Sequence, residues 1–242
     1  MGLLTVGTPL SWEETKKYAD LIRQKGINQF LNIYNALKER KNDCLKWGDE
    51  VEFVIVKFDH EKKKCFLLLR AHELLPTLQA PENRNEKVMT LWRPEYADYM
   101  IEGTPGSPYD HSIGCFNRVE ANMRLRRKQI QDLLDKDEYP LSLTSYPHLG
   151  RPQFTWPSHP TTPGSGVTTS LFFNDEAIYP GHPRFAGLSR NIRERRKAKV
   201  AINVPIYPDD NTPEPFVEDL NQYGDDPNAT SESKLAAKPG HI

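Results

Sequence analysis

The sequence of 242 residues predicts an α+β fold in which helices flank an antiparallel sheet. Two β-rich segments, 50–59 and 64–70, are joined by the short polar link His60-Glu61-Lys62-Lys63, which favours an antiparallel hairpin. Helical segments precede and follow this hairpin, and no strand–helix–strand unit repeats along the chain. These observations favour an antiparallel sheet over the parallel sheet of an α/β protein.

Two helices are predicted before the hairpin. Ser11-Trp12-Glu13-Glu14 is a capping box that opens the first helix, which is expected to end near Lys25 with Gly26 as its stop. Apolar residues at helical spacing predict a second helix, which ends in the charged run 38–43: Phe30, Leu31, Tyr34 and Leu37.

The middle of the chain alternates between loops and one helix. Segment 74–88 is polar and interrupted by prolines, and 102–114 is rich in Gly and Pro, so both are expected to be loops. Asn117-x-x-Glu120 is a candidate cap for a helix with an apolar stripe at Val119, Met123, Ile130 and Leu133.

The last third combines short elements with long irregular stretches. A short strand is predicted at 141–146, a loop at 150–166, a basic helix at 190–199 and a strand at 200–207. The first 207 residues are therefore expected to form the folded unit. Residues 208–242 are acidic, polar and rich in Pro and Asn, and we expect them to be mobile.

Composition excludes several classes of protein. Hydrophobic residues make up 37% and charged residues 27%, and 32 basic against 33 acidic side chains leave a net charge of −1. Neither a nucleic-acid surface nor a membrane surface is indicated. The three cysteines are far apart in sequence, which argues against a disulfide framework or zinc site and favours a reducing compartment. No apolar run approaches the roughly 20 residues of a membrane span, so the cytoplasm is the expected location.

Paired carboxylates at the start of the predicted hairpin are the first candidate site. Glu50 and Glu52 lie two apart on a strand, so their side chains share one face roughly 6.5–7 Å apart. At an effective dielectric constant near 20 they would repel by roughly 2–2.5 kcal/mol, a cost that bound Mg²⁺ would remove. The alternative is a solvated strand end with two surface glutamates, and the short motif alone favours that alternative.

A second pair of carboxylates flanks the segment 96–101. Glu95 and Glu102 are seven residues apart, which on a regular strand would place their side chains on opposite faces. Either a bend or loop intervenes or one of the two is not a ligand, and segment 100–105 could supply the bend because Gly and Pro end regular structure there.

Basic and polar residues elsewhere have simpler interpretations. Two predicted helices carry basic clusters, which by themselves favour solvated helix faces over phosphate clamps: Arg124, Arg126, Arg127 and Lys128, and Arg190, Arg193, Arg195 and Arg196. Glu120 is interpreted as a helix cap and Cys115 as a packing residue, because nothing nearby would stabilise its thiolate.

A set of motifs runs through the chain in order and nearly without gaps. The sequence resembles the eukaryotic glutamate–cysteine ligase catalytic subunit at Trp47–Glu52, Leu91–Tyr96, Tyr99–Gly106, Phe116–Arg124, Ser170–Ile178, His182–Phe185, Arg190–Arg196 and Ile202–Ile206. The resemblance covers less than half of that family's chain. It implies that residues 1–207 are the N-terminal part of the ligase's catalytic domain.

The resemblance implies a fold and a chemistry. The fold would be an incomplete glutamine synthetase-like sheet bent around the active site. The activity would be ATP-dependent ligation of the γ-carboxylate of L-glutamate to L-cysteine through a γ-glutamyl phosphate, the first step of glutathione synthesis. The implied metal ligands for Mg²⁺ are Glu50, Glu52, Glu95 and Glu102.

The same resemblance bears on the remaining roles. Arg193 or Arg196 would neutralise substrate charge or pair with a carboxylate of the site, and the regulatory subunit is an implied partner. Further ligands and most cysteine and nucleotide contacts are expected downstream, so the chain alone is expected to be inactive. The alternative is a truncated, non-catalytic product that acts as a binding fragment.

Overall fold

The computed structural model of the protein describes residues 7–150, 153–162, 164–170 and 172–197. The predicted strand 200–207 and the segment 208–242 lie outside these residues. The helices and strands are α1 (Trp12–Leu37), β1 (Val51–Asp59), β2 (Lys64–Leu68), α2 (Ala71–Asn83), β3 (Thr90–Pro94), β4 (Met100–Pro105), α3 (Phe116–Gln131), β5 (Glu138–Leu141), β6 (Thr155–Trp156) and α4 (Arg184–Arg196). Short 3₁₀ turns lie at Ile113–Cys115 and Asp175–Ala177.

One sheet organises the described part of the chain around β1. The strand order is β3-β4-β1-β2-β6, and β5 also pairs with β1. Residues 51–54 of β1 pair with β4, residues 54–57 with β5 and residues 56–59 with β2, all antiparallel. Among the strands of the described residues, β6 alone runs parallel to its neighbour, β2. The predicted α+β class and the β1–β2 hairpin are confirmed. The sheet is mixed and not purely antiparallel, because the short strand β6 at its edge pairs with β2 in parallel.

Both faces of β1 are buried, which explains its continuous apolar run. On one face Phe53 and Ile55 pack with residues of α2 and α3 and with Trp92 of β3. On the other face Val54 and Val56 pack with Leu67, Leu69, Ala97, Tyr99 and Phe154. The end of β1 that precedes this double-sided core carries the candidate carboxylates.

Two predictions about helices are wrong. The two helices expected before the hairpin are one helix, because α1 continues through Gly26, where an exposed glycine costs only about 1 kcal/mol against alanine. The expected proline-broken loop is largely helix α2, which contains Pro76 and Pro81. Burial of Leu74 and Leu75 against the sheet stabilises this helix despite its prolines.

Smaller differences concern element ends. Helix α3 begins at Phe116 without a side-chain cap, and Glu120 forms an ion pair with Arg124 instead of capping. The strand expected at 141–146 lies at 138–141, where it pairs with β1. The basic helix begins at 184 because Phe185 and Gly187 are buried. Each of the described helices is too short or too polar to cross a bilayer.

Candidate active site

Two glutamates face each other across the β1–β4 pairing. Glu52 of β1 lies directly opposite Glu102 of β4, so their side chains project from the same face of the sheet. The side chain of Glu102 is almost fully buried, with 5% exposure, whereas Glu52 is exposed. Like charges directly opposite each other destabilise a sheet. The Glu52–Glu102 pairing therefore destabilises the sheet at this position, although the rest of the fold keeps the two residues together.

A third glutamate joins this pair from the turn between β3 and β4. Glu95 follows the last residue of β3, and the turn 95–99 reverses the chain before β4 begins. A bend between Glu95 and Glu102 is therefore present, but it lies at 95–99 and not in the predicted segment 100–105, which is strand β4. The two carboxyl groups form a hydrogen bond. Burial raises the pKa of Glu95 above its ordinary value, and the carboxyl of Glu102 and the charge of Glu52 raise it further.

Glu50 lies just before β1 and is exposed. It lines a cavity of about 750 Å³ together with Glu52. Apolar side chains and hydroxyl-bearing side chains form the rest of the wall: Val51, Val54, Met100, Leu143 and Leu149, and Tyr99, Ser142, Thr144, Ser145 and Tyr146. The structure therefore brings Glu52, Glu95 and Glu102 together and places Glu50 at the adjoining cavity.

A buried arginine supports this arrangement from the other side of the sheet. Arg126 of α3 has no exposed surface, donates to the carbonyl oxygen of Gly103 at 2.5 Å and forms an ion pair with Asp49. Gly103 follows Glu102 in β4, and Asp49 precedes Glu50. The guanidinium therefore joins the two strands next to the carboxylates, with two donors in a fixed geometry.

The prediction that Arg126 lies on a solvated helix face is wrong. Arg126 is four residues before Ile130, a stripe residue that is fully buried, so both lie on the inner face of α3. That spacing was the available signal, but it gave no indication of the partner. Its two partners are 23 and 77 residues away in sequence.

Arg93 of β3 forms an ion pair with Glu82 of α2, close to Glu102. Its guanidinium donates to both carboxylate oxygens of Glu82 at 2.7 Å, and these bonds hold the pKa of Glu82 below its ordinary value. Arg93 is also directly opposite Glu102 across the β3–β4 pairing, and the two charges attract. Arg93 therefore places a positive charge next to Glu102 of the carboxylate cluster.

The two arginines predicted from the last helix have different surroundings. Arg193 of α4 donates to the hydroxyl of Thr169 at 2.6 Å and to the carbonyl oxygen of Gly166 at 3.2 Å. It also attracts the carboxylate of Asp175, whose pKa is lowered, against its burial, chiefly by hydrogen bonds from residues 167 and 168. Arg196 is exposed in the last turn of α4.

Comparison with known proteins decides the family. The family model described as glutamate-cysteine ligase matches residues 2–242. The chain belongs to the glutamate–cysteine ligase family. It is 54% identical over 244 residues to the glutamate–cysteine ligase catalytic subunit of Homo sapiens and 53% identical to that of Mus musculus. It is 35% identical over 298 residues to the glutamate–cysteine ligase of Schizosaccharomyces pombe.

These comparisons also give the extent of the match. The human and mouse alignments cover 100% of this chain and 37% of each relative, and the Schizosaccharomyces pombe alignment covers 97% of this chain and 44% of the relative. The chain thus spans well under half the length of these glutamate–cysteine ligases.

The donor set suits a hard cation, although the carboxyl groups are not arranged as metal ligands. Across residues 7–150, 153–162, 164–170 and 172–197, no three His, Cys, Asp or Glu side chains are placed to hold a metal ion together. Glu95 and Glu102 instead bond to each other. Carboxylate oxygens are nevertheless the ligands that Mg²⁺ prefers, and a cation would relieve the repulsion within this cluster. The residue types therefore fit Mg²⁺.

Proposed function

We propose that this chain carries part of the active site of a ligase that joins the γ-carboxylate of L-glutamate to L-cysteine with ATP, through a γ-glutamyl phosphate. In this proposal the reaction is the first step of glutathione synthesis. The observation that carries it is the convergence of Glu52, Glu95 and Glu102 from three separate segments, in a chain of the glutamate–cysteine ligase family.

The role of the glutamates is to supply oxygen ligands. Glu52 and Glu102 on paired strands and Glu95 on the adjoining turn would hold Mg²⁺, with Glu50 reaching it from the cavity side. When bound, Mg²⁺ would neutralise charge on the transferring phosphoryl group. Burial of Glu102 supports this role, because a charge in a water-poor site acts more strongly than one in bulk solvent.

The cavity beside Glu50 and Glu52 is the space that this part of the chain offers to substrates. Its hydroxyl groups at 142–146 can exchange hydrogen bonds with polar ligands, and its apolar wall can pack against their carbon atoms. The roles proposed for Arg193 and Arg196 are to neutralise substrate charge, and for Arg193 the support is its closeness to Asp175 and to the turn residue Tyr96.

Location and partners complete this proposal. The three cysteines Cys44, Cys65 and Cys115 are free thiols, which supports a reducing compartment such as the cytoplasm. The regulatory subunit of the ligase is the proposed protein partner.

Metal binding by the purified chain tests the proposal without requiring turnover. Mn²⁺, a paramagnetic substitute for Mg²⁺, is titrated and the free ion is followed by electron paramagnetic resonance. Glu52→Gln and Glu102→Gln should each weaken binding about tenfold or more, because each removes a charge and an oxygen ligand. The matched control is Glu61→Gln in the exposed hairpin turn. Unchanged affinity in Glu52→Gln would remove this residue from the site.

An activity assay tests the second candidate, a non-catalytic binding fragment. The observation that favours the fragment is that the described helix α1 buries no side chain and exposes several large apolar residues, including Leu21, Ile22 and Phe30. The chain is given glutamate, cysteine, ATP and Mg²⁺, and phosphate release is measured with and without cysteine. We expect no cysteine-dependent release from the 242-residue chain alone, and release would rule out the fragment interpretation.

A further inference from the structure

The turn 95–99 determines where Glu95 lies relative to Glu102, and it is held by a side-chain pair outside the carboxylate cluster. We propose that His72 and Asp98 are positioning residues for the metal-binding carboxylates. This inference rests on the proposed function of the cluster, because it assigns to the pair the task of holding Glu95 beside Glu102.

Asp98 is the fixed point of the turn. Its side chain is 2% exposed, and both of its carboxylate oxygens are bonded to His72. Oδ1 accepts a hydrogen bond from the backbone N–H of His72 at 2.9 Å, and Oδ2 lies 2.6 Å from the ring Nδ1. A carboxylate has only acceptor lone pairs, so the ring nitrogen is the donor. Both bonds are charge-assisted and therefore strong.

The backbone of Asp98 is fixed as well. Its carbonyl oxygen accepts from the N–H groups of Ala71 at 2.8 Å and Arg70 at 3.1 Å, and its own N–H donates to the carbonyl of Ala177 at 2.8 Å. The first residues of α2 thus bind the turn through three backbone N–H groups and one ring. Arg70, the residue just before α2, makes no side-chain hydrogen bond that caps the helix.

The neighbours of Asp98 carry this constraint to the carboxylates. The carbonyl of Tyr99 accepts from the N–H of Ile55 in β1 at 2.8 Å, and the carbonyl of Tyr96 accepts from Tyr179 at 2.9 Å. Glu95 is three residues before Asp98, and Glu102 is four residues after it. Because the turn is hydrogen-bonded at residues 96, 98 and 99, it has little freedom to move Glu95 away from Glu102.

The ring of His72 is not needed to cap helix α2, so its bond to Asp98 can be assigned to positioning the turn. The backbone bonds at the start of α2 satisfy the helix end without any histidine side chain. The ring is 40% exposed, so its bond to Asp98 adds little burial and acts mainly to orient the carboxylate. A residue that only capped α2 would stabilise the chain without affecting metal affinity.

A matched pair of variants tests the ring. His72→Asn keeps an N–H donor near the position of Nδ1, whereas His72→Ala removes it. Thr77→Ala, an exposed position on the same helix, is the control. Each protein is measured for Mn²⁺ affinity by electron paramagnetic resonance and, without metal, for amide hydrogen exchange over 95–102. Exchange at 65–67 in β2, which makes no hydrogen bond to the turn, is the reference for global stability.

The expected result for His72→Ala is exchange about tenfold faster over 95–102 and Mn²⁺ binding about tenfold weaker, with exchange at 65–67 unchanged. His72→Asn should restore both quantities. Unchanged exchange in His72→Ala, equal effects in the two variants, or faster exchange with unaltered Mn²⁺ affinity would each overturn the positioning role. If the wild-type chain binds no Mn²⁺, the proposed function fails separately, and exchange alone then decides whether the pair holds the turn.

Discussion

Replacing Arg126 should show how much the buried ion pair contributes to the site and the fold. Arg126→Met keeps most of the apolar stem but removes the guanidinium, which leaves the carboxylate of Asp49 at 15% exposure without its partner. It also removes the donor to the carbonyl of Gly103. Removing one partner of a buried pair costs about 3–5 kcal/mol, because the remaining charge stays poorly solvated. The partial exposure of Asp49 places the expected loss near the lower limit, about 3 kcal/mol.

A double-mutant cycle tests this assignment in urea unfolding followed by far-ultraviolet circular dichroism. Asp49→Asn alone should be destabilising, but in the Arg126→Met background it should cost little, giving a coupling energy of about 1–3 kcal/mol. Arg126→Lys is the matched control, since one ammonium group cannot reach both acceptors with the geometry of a guanidinium. A loss below about 1 kcal/mol in Arg126→Met, or additive single effects, would refute the reasoning.

Three further predictions concern the same strands and the first helix. Glu95→Gln keeps a hydrogen bond to Glu102 but does not titrate. Because the pKa of Glu95 is raised, its contribution to stability should fall as pH rises above about 4.3, so the urea midpoint of the variant, relative to wild type, should increase over that range. Equal pH slopes would contradict this. Gly103→Ala should cost about 1–3 kcal/mol in thermal unfolding, because its Cβ would lie 2.8 Å from the Trp92 ring; an unchanged midpoint would count against this packing. Gly26→Ala should raise helicity by circular dichroism and stabilise α1 by about 1 kcal/mol, since its Cβ meets nothing within 4 Å; lost helicity would indicate a helix break there.

Local pattern was sufficient for the central hairpin. Segments rich in β-branched and aromatic residues, joined by a short polar link, predicted β1 and β2, and their register pairs Val56 with Leu67 and Asp59 with Lys64. The period-two rule for strands placed Glu50 and Glu52 toward one face, and both line one cavity. Such features depend on neighbours in sequence, so the sequence contains the required information.

Local pattern failed where packing outweighed propensity. Pro76 and Pro81 predicted a loop, yet burial of Leu74 and Leu75 keeps α2 helical. Gly26 predicted a helix end, yet α1 is continuous because a single exposed glycine costs less than ending and restarting a helix. In both cases the deciding energy comes from many hydrogen bonds or contacts, which a single residue type does not represent.

By itself, the sequence determined the fold class, the hairpin, the candidate glutamates and the family. Only the tertiary structure decided that Glu102 lies opposite Glu52, that Glu95 bonds to Glu102, and that Arg126 is buried with bonds to Asp49 and Gly103. The physical reason is that these contacts join segments far apart in the chain. Their geometry follows from strand pairing and from the turn between β3 and β4, so the helix or strand periodicity of the local sequence does not predict it.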